Sequence, residues 1–327
     1  MKYLILSDRG DYLPIAIKLK QEGNDVTLVI KENARKEIGK GLVDPAQSWK
    51  DVDADITILD TGQSHQTARK LNTKTFGNSQ FGDVFFYRKD YFENIMGLLD
   101  IDYDTSLMPD KAIEAWFNGE RFVLPVFYHQ FSARFMNDDV GGIVNDGWMG
   151  VQSWTEHGLP ELLGKLEPTL KKVDYRGVFR LELKGKKVCH ASNRMYVPTI
   201  NELMDMPLGK AIEQTVTGKL KHIPCSRERA LAVKISVAPY PYCPKFFWGH
   251  GHYNLLGKKL YDYSEPQYKH LWALNVYKDK DNILSAGQSG DLGYVTSRGI
   301  TLKESRRRIA RTIKNLKVPA LQYRSDI

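Results

Sequence analysis

Cysteine is scarce in this chain: three residues among 327, Cys189, Cys225 and Cys243, lie far apart with no C-x-x-C spacing. An odd, scattered set supports neither a disulfide framework nor a zinc site, so buried thiols are expected. Long apolar runs are also missing. The opening Met-Lys-Tyr-Leu-Ile-Leu is interrupted by Asp8 and Arg9, too early for a signal peptide or a membrane span, and a cytoplasmic location without a membrane partner is expected. No internal repeat, low-complexity tract or flexible linker is present. Neither sign of charge dominates, since 39 acidic residues are interspersed among 47 basic ones for a net charge of +8. That balance permits binding to nucleic acid or to phosphorylated small molecules without requiring either. The densest basic run, Lys303 to Lys317, has Thr301 placed as a cap, Glu304 three positions later, and an apolar stripe of Ile309, Ile313 and Leu316. A solvated helix face accounts for that pattern, and nucleic acid is not the expected partner.

What is present is an ordinary globular text, 42% apolar and 11% aromatic, long enough to form two or three domains. The first part reads as an open α/β unit: strand Tyr3 to Leu6, helix Pro14 to Gln21, strand Asp25 to Ile30 and strand Ile56 to Leu59. Pro14 suits a first helical turn, where its missing N–H has no partner to lose. Parallel strands joined by helices bind ligands beyond their carboxyl ends, which singles out the turn Ser7 to Tyr12. A short element follows at Thr75-Phe-Gly77, then a helix over Lys89 to Leu99 with apolar Phe92, Ile95, Met96 and Leu99, and a polar acidic turn region, Asp100 to Asp110. From Ala112 onward alternating segments, including Arg121 to Val126, Val178 to Leu183 and Leu231 to Ala238, indicate antiparallel strands, with a helix at Leu159 to Lys172.

Several short stretches carry a resemblance. Asn145-Asp-Gly-Trp-Met-Gly-Val-Gln-Ser153 has glycines at 147 and 150 that let backbone amides approach an anionic ligand. Ile113-Glu-Ala-Trp-Phe-Asn-Gly-Glu120, Tyr175-Arg-Gly-Val178, Thr75-Phe-Gly-Asn-Ser79 and the closing Leu321-Gln-Tyr-Arg-Ser-Asp-Ile327 complete the set. Together they resemble, in order and over nearly the whole chain, the phosphoribosylamine–glycine ligases of the ATP-grasp superfamily. That resemblance implies a Rossmann-like pre-ATP-grasp domain over 1–82, a truncated ATP-grasp domain over 83–225 and a small C-terminal α+β domain over 226–327, a mixture of α/β and α+β classes. It implies ATP and magnesium as cofactors and an amino acid or a phosphorylated sugar amine as substrate. By the same resemblance, Lys89, Glu114 and Glu120 lie near the nucleotide; Asn145, Gly147, Gly150, Arg176 and Arg194 serve the reaction; and Gly10, His129, Met149 and Arg324 meet the substrate.

The chain also departs from the family pattern. Only Asp100 to Lys111 separates the helix at 89 from the Ile-Glu-Ala-Trp strand, where the family carries a subdomain with a Gly-rich lid over the triphosphate. Losing such amides and a lysine removes much of the charge compensation that phosphoryl transfer needs. Cys189-His-Ala-Ser-Asn-Arg194 stands where the family has its magnesium glutamate and asparagine, leaving His190, Ser192 or, with a one-residue slide, Asn193 as metal ligands. Neutral imidazole is a poor replacement for a carboxylate on magnesium. Of the glycines in the family's first loop only Gly10 remains. Two readings follow: a ligase that joins a carboxylate to an amine through an acyl phosphate, or a descendant that has lost catalysis and serves as a ligand-binding or assembly module. Bland accounts stand beside the sharp ones elsewhere. Packing accounts for His250 and His252, a domain edge for the aromatic Tyr240 to Trp248, and a turn for Asp138, Asp139 and Asp146. A satisfied histidine accounts for His129 as well as a substrate contact does. For Arg176 and Arg324, structural ion pairs stand against phosphate binding.

Overall fold

The computed structural model describes residues 1–50, 52–60, 70–71, 73–77, 84–131, 150–195, 197–238, 240, 255–262, 269–287 and 290–324. Five strands, β1 (Lys2–Ser7), β2 (Asp25–Ile30), β3 (Asp44–Ala46), β4 (Ile56–Asp60) and β5 (Lys74–Phe76), form a parallel sheet in the order β3-β2-β1-β4-β5. The apolar runs of β1 and β4 are continuous because both faces are covered. Helix α1 (Leu13–Gln21) carries Pro14 in its first turn and packs Leu13, Ala16 and Leu19 into the main core, while Trp49, Val52 and Leu71 close over Leu4, Leu6 and Leu59 on the far side. The chain moves out one way from β1 to β2 and back the other way to β4. The sheet therefore has its switch point between β1 and β4.

A second sheet of eight strands dominates the rest. Helix α2 (Lys89–Leu98) leads into the hairpin of β6 (Lys111–Asn118) and β7 (Phe122–Phe131), followed by β8 (Gly150–Glu156), helix α3 (Glu161–Lys172), β9 (Arg176–Lys184) and β10 (Lys187–Ser192). Helices α4 (Val197–Leu203) and α5 (Leu208–Val216) precede β11 (Arg229–Ser236), and β12 (Lys259–Asp262), β13 (Leu271–Ala273), β14 (Val276–Asp279), β15 (Asn282–Ser285), β16 (Asp291–Gly299) and α6 (Leu302–Leu316) complete the described elements. The eight strands run β10-β9-β6-β7-β8-β11-β16-β13, and β12-β15-β14 form a small sheet apart. Because β8 pairs with β11, one sheet runs across the boundary expected between 225 and 226. Between α2 and β6, residues 99–110 contain no helix or strand, only a bridge from Tyr103 to Val188.

Alternation gives the large sheet two unlike faces. Ile113, Ala115, Phe117, Phe179 and Leu181 point toward α2 and α3, against Phe92, Met96, Leu163 and Leu166. Trp116, Phe127, Val151, Val178 and Ala232 point the other way and share a core with the parallel sheet. Phe76 of β5 meets Trp116 of β6 with ring centroids 5.3 Å apart, and burying each large apolar side chain of this kind contributes about 1.5–3 kcal/mol. Beside that contact the backbones nearly touch: a Cβ on Gly177 would lie 2.7 Å from the Gly77 nitrogen, so no other residue fits at 177. Helix α6 starts as the sequence indicates, with Thr301 accepting a hydrogen bond from the Glu304 N–H at 3.2 Å and Ile309, Ile313 and Leu316 buried. Among the described residues no helix is long and apolar enough to cross a membrane. Cys189 is buried and Cys225 half-buried; Cys243, His250, His252, Asp138, Asp139 and Asp146 lie outside the described residues.

Candidate functional site

The turn after β1 lies at the switch point, beyond the carboxyl ends of β1 and β4, where open sheets of this kind form a crevice. Ser7 Oγ donates to Asp60 Oδ2 at 2.6 Å and accepts from the Gly10 N–H at 2.8 Å, locking the turn to the end of β4. Gly10 is needed for shape: its φ is +84°, and a Cβ there would press within 3.0 Å of Ile30. Asp60 is 3% exposed. Its second oxygen faces Arg194 Nε at 3.3 Å, and Arg194 Nη1 reaches Asp11 Oδ2 at 3.5 Å. Burial pushes the Asp60 carboxyl up to about 7 against the opposing pull of Arg194 and the Ser7 hydrogen bond. The crevice thus holds a carboxyl able to change charge near neutrality and a half-exposed guanidinium beside it.

The segment after β10 ties this crevice to the large sheet. Met195 N–H donates to Tyr12 Oη at 3.2 Å, Asn193 Nδ2 donates to the Gly77 carbonyl at 3.0 Å, and Arg180 Nη1 donates to the Arg194 carbonyl at 3.3 Å. Arg180 begins a polar stripe across the face that looks toward the parallel sheet. It pairs with Glu182 at 3.0 Å, and Glu182 lies directly across from His190, as Arg180 does from Ser192 and from Glu114. Deeper in the stripe, His129 Nδ1 and Ser153 Oγ are 2.7 Å apart, and His129 Nε2 is 3.7 Å from Glu114. A serine, a histidine and a glutamate suggest nucleophilic chemistry, but all three are fully buried, and burial pushes the His129 pKa down to about 3. This group is neutral imidazole sealed in a core, and no substrate reaches it in this conformation.

The remaining sequence candidates are dispersed. Lys89 stands exposed at the start of α2, 3.7 Å from Glu93, and shares with His190 a cavity of about 300 Å³ walled by Phe85, Phe86, Phe92 and Cys189. Glu120 is exposed in the β6–β7 turn, its N–H bonded to Asn118 Oδ1 at 3.0 Å, and is not brought to the buried Glu114. Arg176 pairs with Asp174 at 3.0 Å and donates to the Val216 carbonyl at 3.2 Å, packed against the turn at Gly119; here it is a structural ion pair. Arg324 is buried beyond the bridge of Ser236 with Gln322. Gly150 opens β8 across from Val233, while Asn145, Gly147 and Met149 lie outside the described residues.

The proposed metal ligands do not assemble. Asn193 has committed its amide to Gly77, Ser192 Oγ accepts the Arg194 N–H at 3.1 Å, and His190 is exposed, with desolvation by its neighbours lowering its pKa against the pull of Glu182. Among the described residues no group of three His, Cys, Asp or Glu side chains could hold a metal ion. Magnesium requires several hard oxygens at close range, so these three residues do not fit it and no step is drawn through the metal.

Sequence reasoning pointed to the Ser7–Tyr12 turn and to Arg194 but missed Asp60, Arg180, Glu182 and Ser153. Arg180 and Glu182 were detectable, since charged residues within an apolar alternating strand need partners. Asp60 carried no such signal, because an acid after Ile-Thr-Ile-Leu reads as the start of a turn.

A parallel sheet with its crevice at a switch point, joined face to face with a large antiparallel sheet bearing a polar stripe, is an ATP-grasp-like architecture. The chain aligns over 100% of its length with 100% of phosphoribosylamine–glycine ligase from Thermotoga maritima, at 17% identity and a TM-score of 0.72. It is also similar to the phosphoribosylaminoimidazole carboxylase ATPase subunit from Aquifex aeolicus, at 13% identity over 97% of this chain and 100% of that one with a TM-score of 0.55. A third match is N5-carboxyaminoimidazole ribonucleotide synthetase from Thermotoga maritima, at 10% identity over 99% of each chain with a TM-score of 0.53. At these identities the likeness is one of fold. No family model and no curated protein matches the sequence.

Proposed function

We propose that this chain is an ATP-dependent ligase of the ATP-grasp type that joins a carboxylate to an amine, diverged from the phosphoribosylamine–glycine ligases and acting in the cytoplasm. The observation that carries the reading is the crevice in which Asp60, Asp11 and Arg194 meet at the switch point opposite the polar stripe. ATP supplies the phosphoryl group that turns a carboxylate into an acyl phosphate. The protein's own part is local: Arg194 offers its exposed edge to the anionic end of a substrate, and Asp11 draws in an ammonium group. With its pKa near 7, Asp60 can take the proton that an amine must lose before it attacks. Calorimetric titration with ATP, with and without magnesium, followed by product analysis with glycine and phosphoribosylamine, tests this reading. Saturable ATP binding and a ligated product are expected; no ATP affinity at millimolar concentration overturns it.

A specific observation favours a second reading, a ligand-binding descendant without ligation. Residues 99–110 connect α2 to β6 with no intervening helix or strand, at the place where the resembled family covers its triphosphate. Binding of phosphoribosylamine or glycine by a protein that ignores ATP would select this second reading.

A further inference from the structure

Away from the crevice, a cavity of about 500 Å³ opens where α1, α4, β16 and α6 converge. Helix α1 relates the two: it begins beside Asp11 and Tyr12 at the crevice, while Lys18, nearer its other end, lines this cavity. None of Asp11, Asp60 and Arg194 contributes to the lining. Five cationic side chains, Lys18, Lys269, Arg298, Arg308 and Arg311, line it together with two carboxylates, Glu202 and Asp205.

Both acids are already engaged. Glu202 is 7% exposed, and its Oε1 accepts from Thr296 Oγ1 at 2.6 Å and lies 3.0 Å from His270 Nδ1. Asp205 Oδ1 accepts from Arg298 Nη1 at 3.0 Å. Arg298 is further occupied by Glu228 at 3.1 Å, Arg308 pairs with Glu304 at 2.5 Å and donates to the Arg298 carbonyl at 2.7 Å, and Lys18 stands 3.8 Å from Glu22. Lys269, just before β13, and Arg311, one turn beyond Arg308 on α6, are exposed and have no ion pair or hydrogen bond to any described residue. Two uncommitted cations therefore border a walled space whose other charged groups are already paired.

We propose that this cavity binds a small, multiply charged phosphate ester. Its volume suits a nucleotide-sized molecule rather than a single ion. Arginine forks match phosphate oxygens in pairs, and lysine adds a point charge. A dianion meets the two uncommitted cations, Lys269 and Arg311, one charge for each, where a monocarboxylate meets only one. Bound there, the ligand would join α1 of the parallel-sheet unit to α6 and to the segment before β13.

The test is a calorimetric titration of the full chain with inorganic pyrophosphate at low salt. It compares the native protein with Lys269→Gln/Arg311→Gln, the charge-keeping Lys269→Arg/Arg311→Lys, and the crevice variant Arg194→Gln. Losing two charge-assisted contacts should weaken binding by about tenfold or more, while the charge-keeping and Arg194→Gln variants should bind as the native protein does. Both substituted side chains are exposed, so thermal melts should stay unchanged. Absence of pyrophosphate binding, equal binding by Lys269→Gln/Arg311→Gln, or loss of binding in Arg194→Gln would each overturn the proposal. Capture of a single-stranded oligonucleotide without pyrophosphate binding would overturn it too, in favour of an extended polyanion surface. Because Arg194→Gln reports on the crevice separately, failure here leaves the ligase reading untouched.

Discussion

The crevice at Asp60 and the stripe at His129 use the same kinds of side chain to opposite ends. Each holds a carboxylate, a serine and a basic partner within a few ångströms, yet one group titrates near pH 7 and the other has been silenced by burial. Both carboxyl groups are buried, and the difference is the base and its exposure. Arg194 remains half-exposed and permanently charged beside Asp60, whereas His129 gives up its proton when water is excluded. Similar chemistry leaves a charged group at the surface in one place and forms core packing in the other.

Breaking the joint between the two regions should have the largest effect. Trp116→Ala removes the side chain that bridges the two sheets against Phe76 and should cost about 3–5 kcal/mol, seen as a large drop in the chemical-denaturation midpoint with substrate binding lost as well. An unchanged midpoint would mean that the sheets are stable independently.

The next effect is on pH dependence, where the two regions oppose one another. The folded-state pKa of Asp60 is raised from 3.8 to about 7, so between those values the native state binds the extra proton and stability falls as pH rises. His129 is lowered from 6.5 to about 3, so the unfolded state binds the extra proton there and stability falls as pH drops. From about pH 4 to 6.5 these slopes largely cancel, each being at most about 1.4 kcal/mol per pH unit. Asp60→Asn should therefore expose the acid sensitivity of His129, losing about 2 kcal/mol between pH 6.5 and pH 5, measurable by urea denaturation at the two values. A variant as flat as the native protein would refute the pairing.

The smallest stability effect separates access from packing. Ser153→Ala leaves the buried His129 Nδ1 without its partner and should cost about 1–3 kcal/mol, with ligand affinity at the crevice unchanged. Arg194→Gln removes the counter-charge of the buried Asp60, pushing that carboxyl further up, and should abolish binding of an anionic substrate. Equal effects of the two variants on binding would erase the distinction between the regions.

Much of this architecture was legible in the sequence. Four of the five strands of the parallel sheet, β3 (Asp44–Ala46) excepted, helices α1, α2, α3 and α6, and several strands of the large sheet announce themselves by apolar period and caps. Helix α5 carries the same kind of signal, since Leu208, Ala211, Ile212, Thr215 and Val216 form a buried stripe after Pro207, although no element is assigned there from the sequence alone. The site was legible only where one segment carries it. The Ser7–Tyr12 turn is local, whereas the identity of Asp60 depends on Arg194, distant in sequence and adjacent only through the packing of β4 against the segment after β10. No periodicity encodes that meeting.

The short run Asn193 to Met195 has a mechanical meaning beyond the contacts it makes. By bonding to Gly77 and Tyr12 while its backbone holds Arg180, it acts as a rivet at the edge where two plates overlap. Spreading the plates there would break these bonds together and pull Phe76 from Trp116. The joint between the two sheets is thus fastened at its rim as well as in its core.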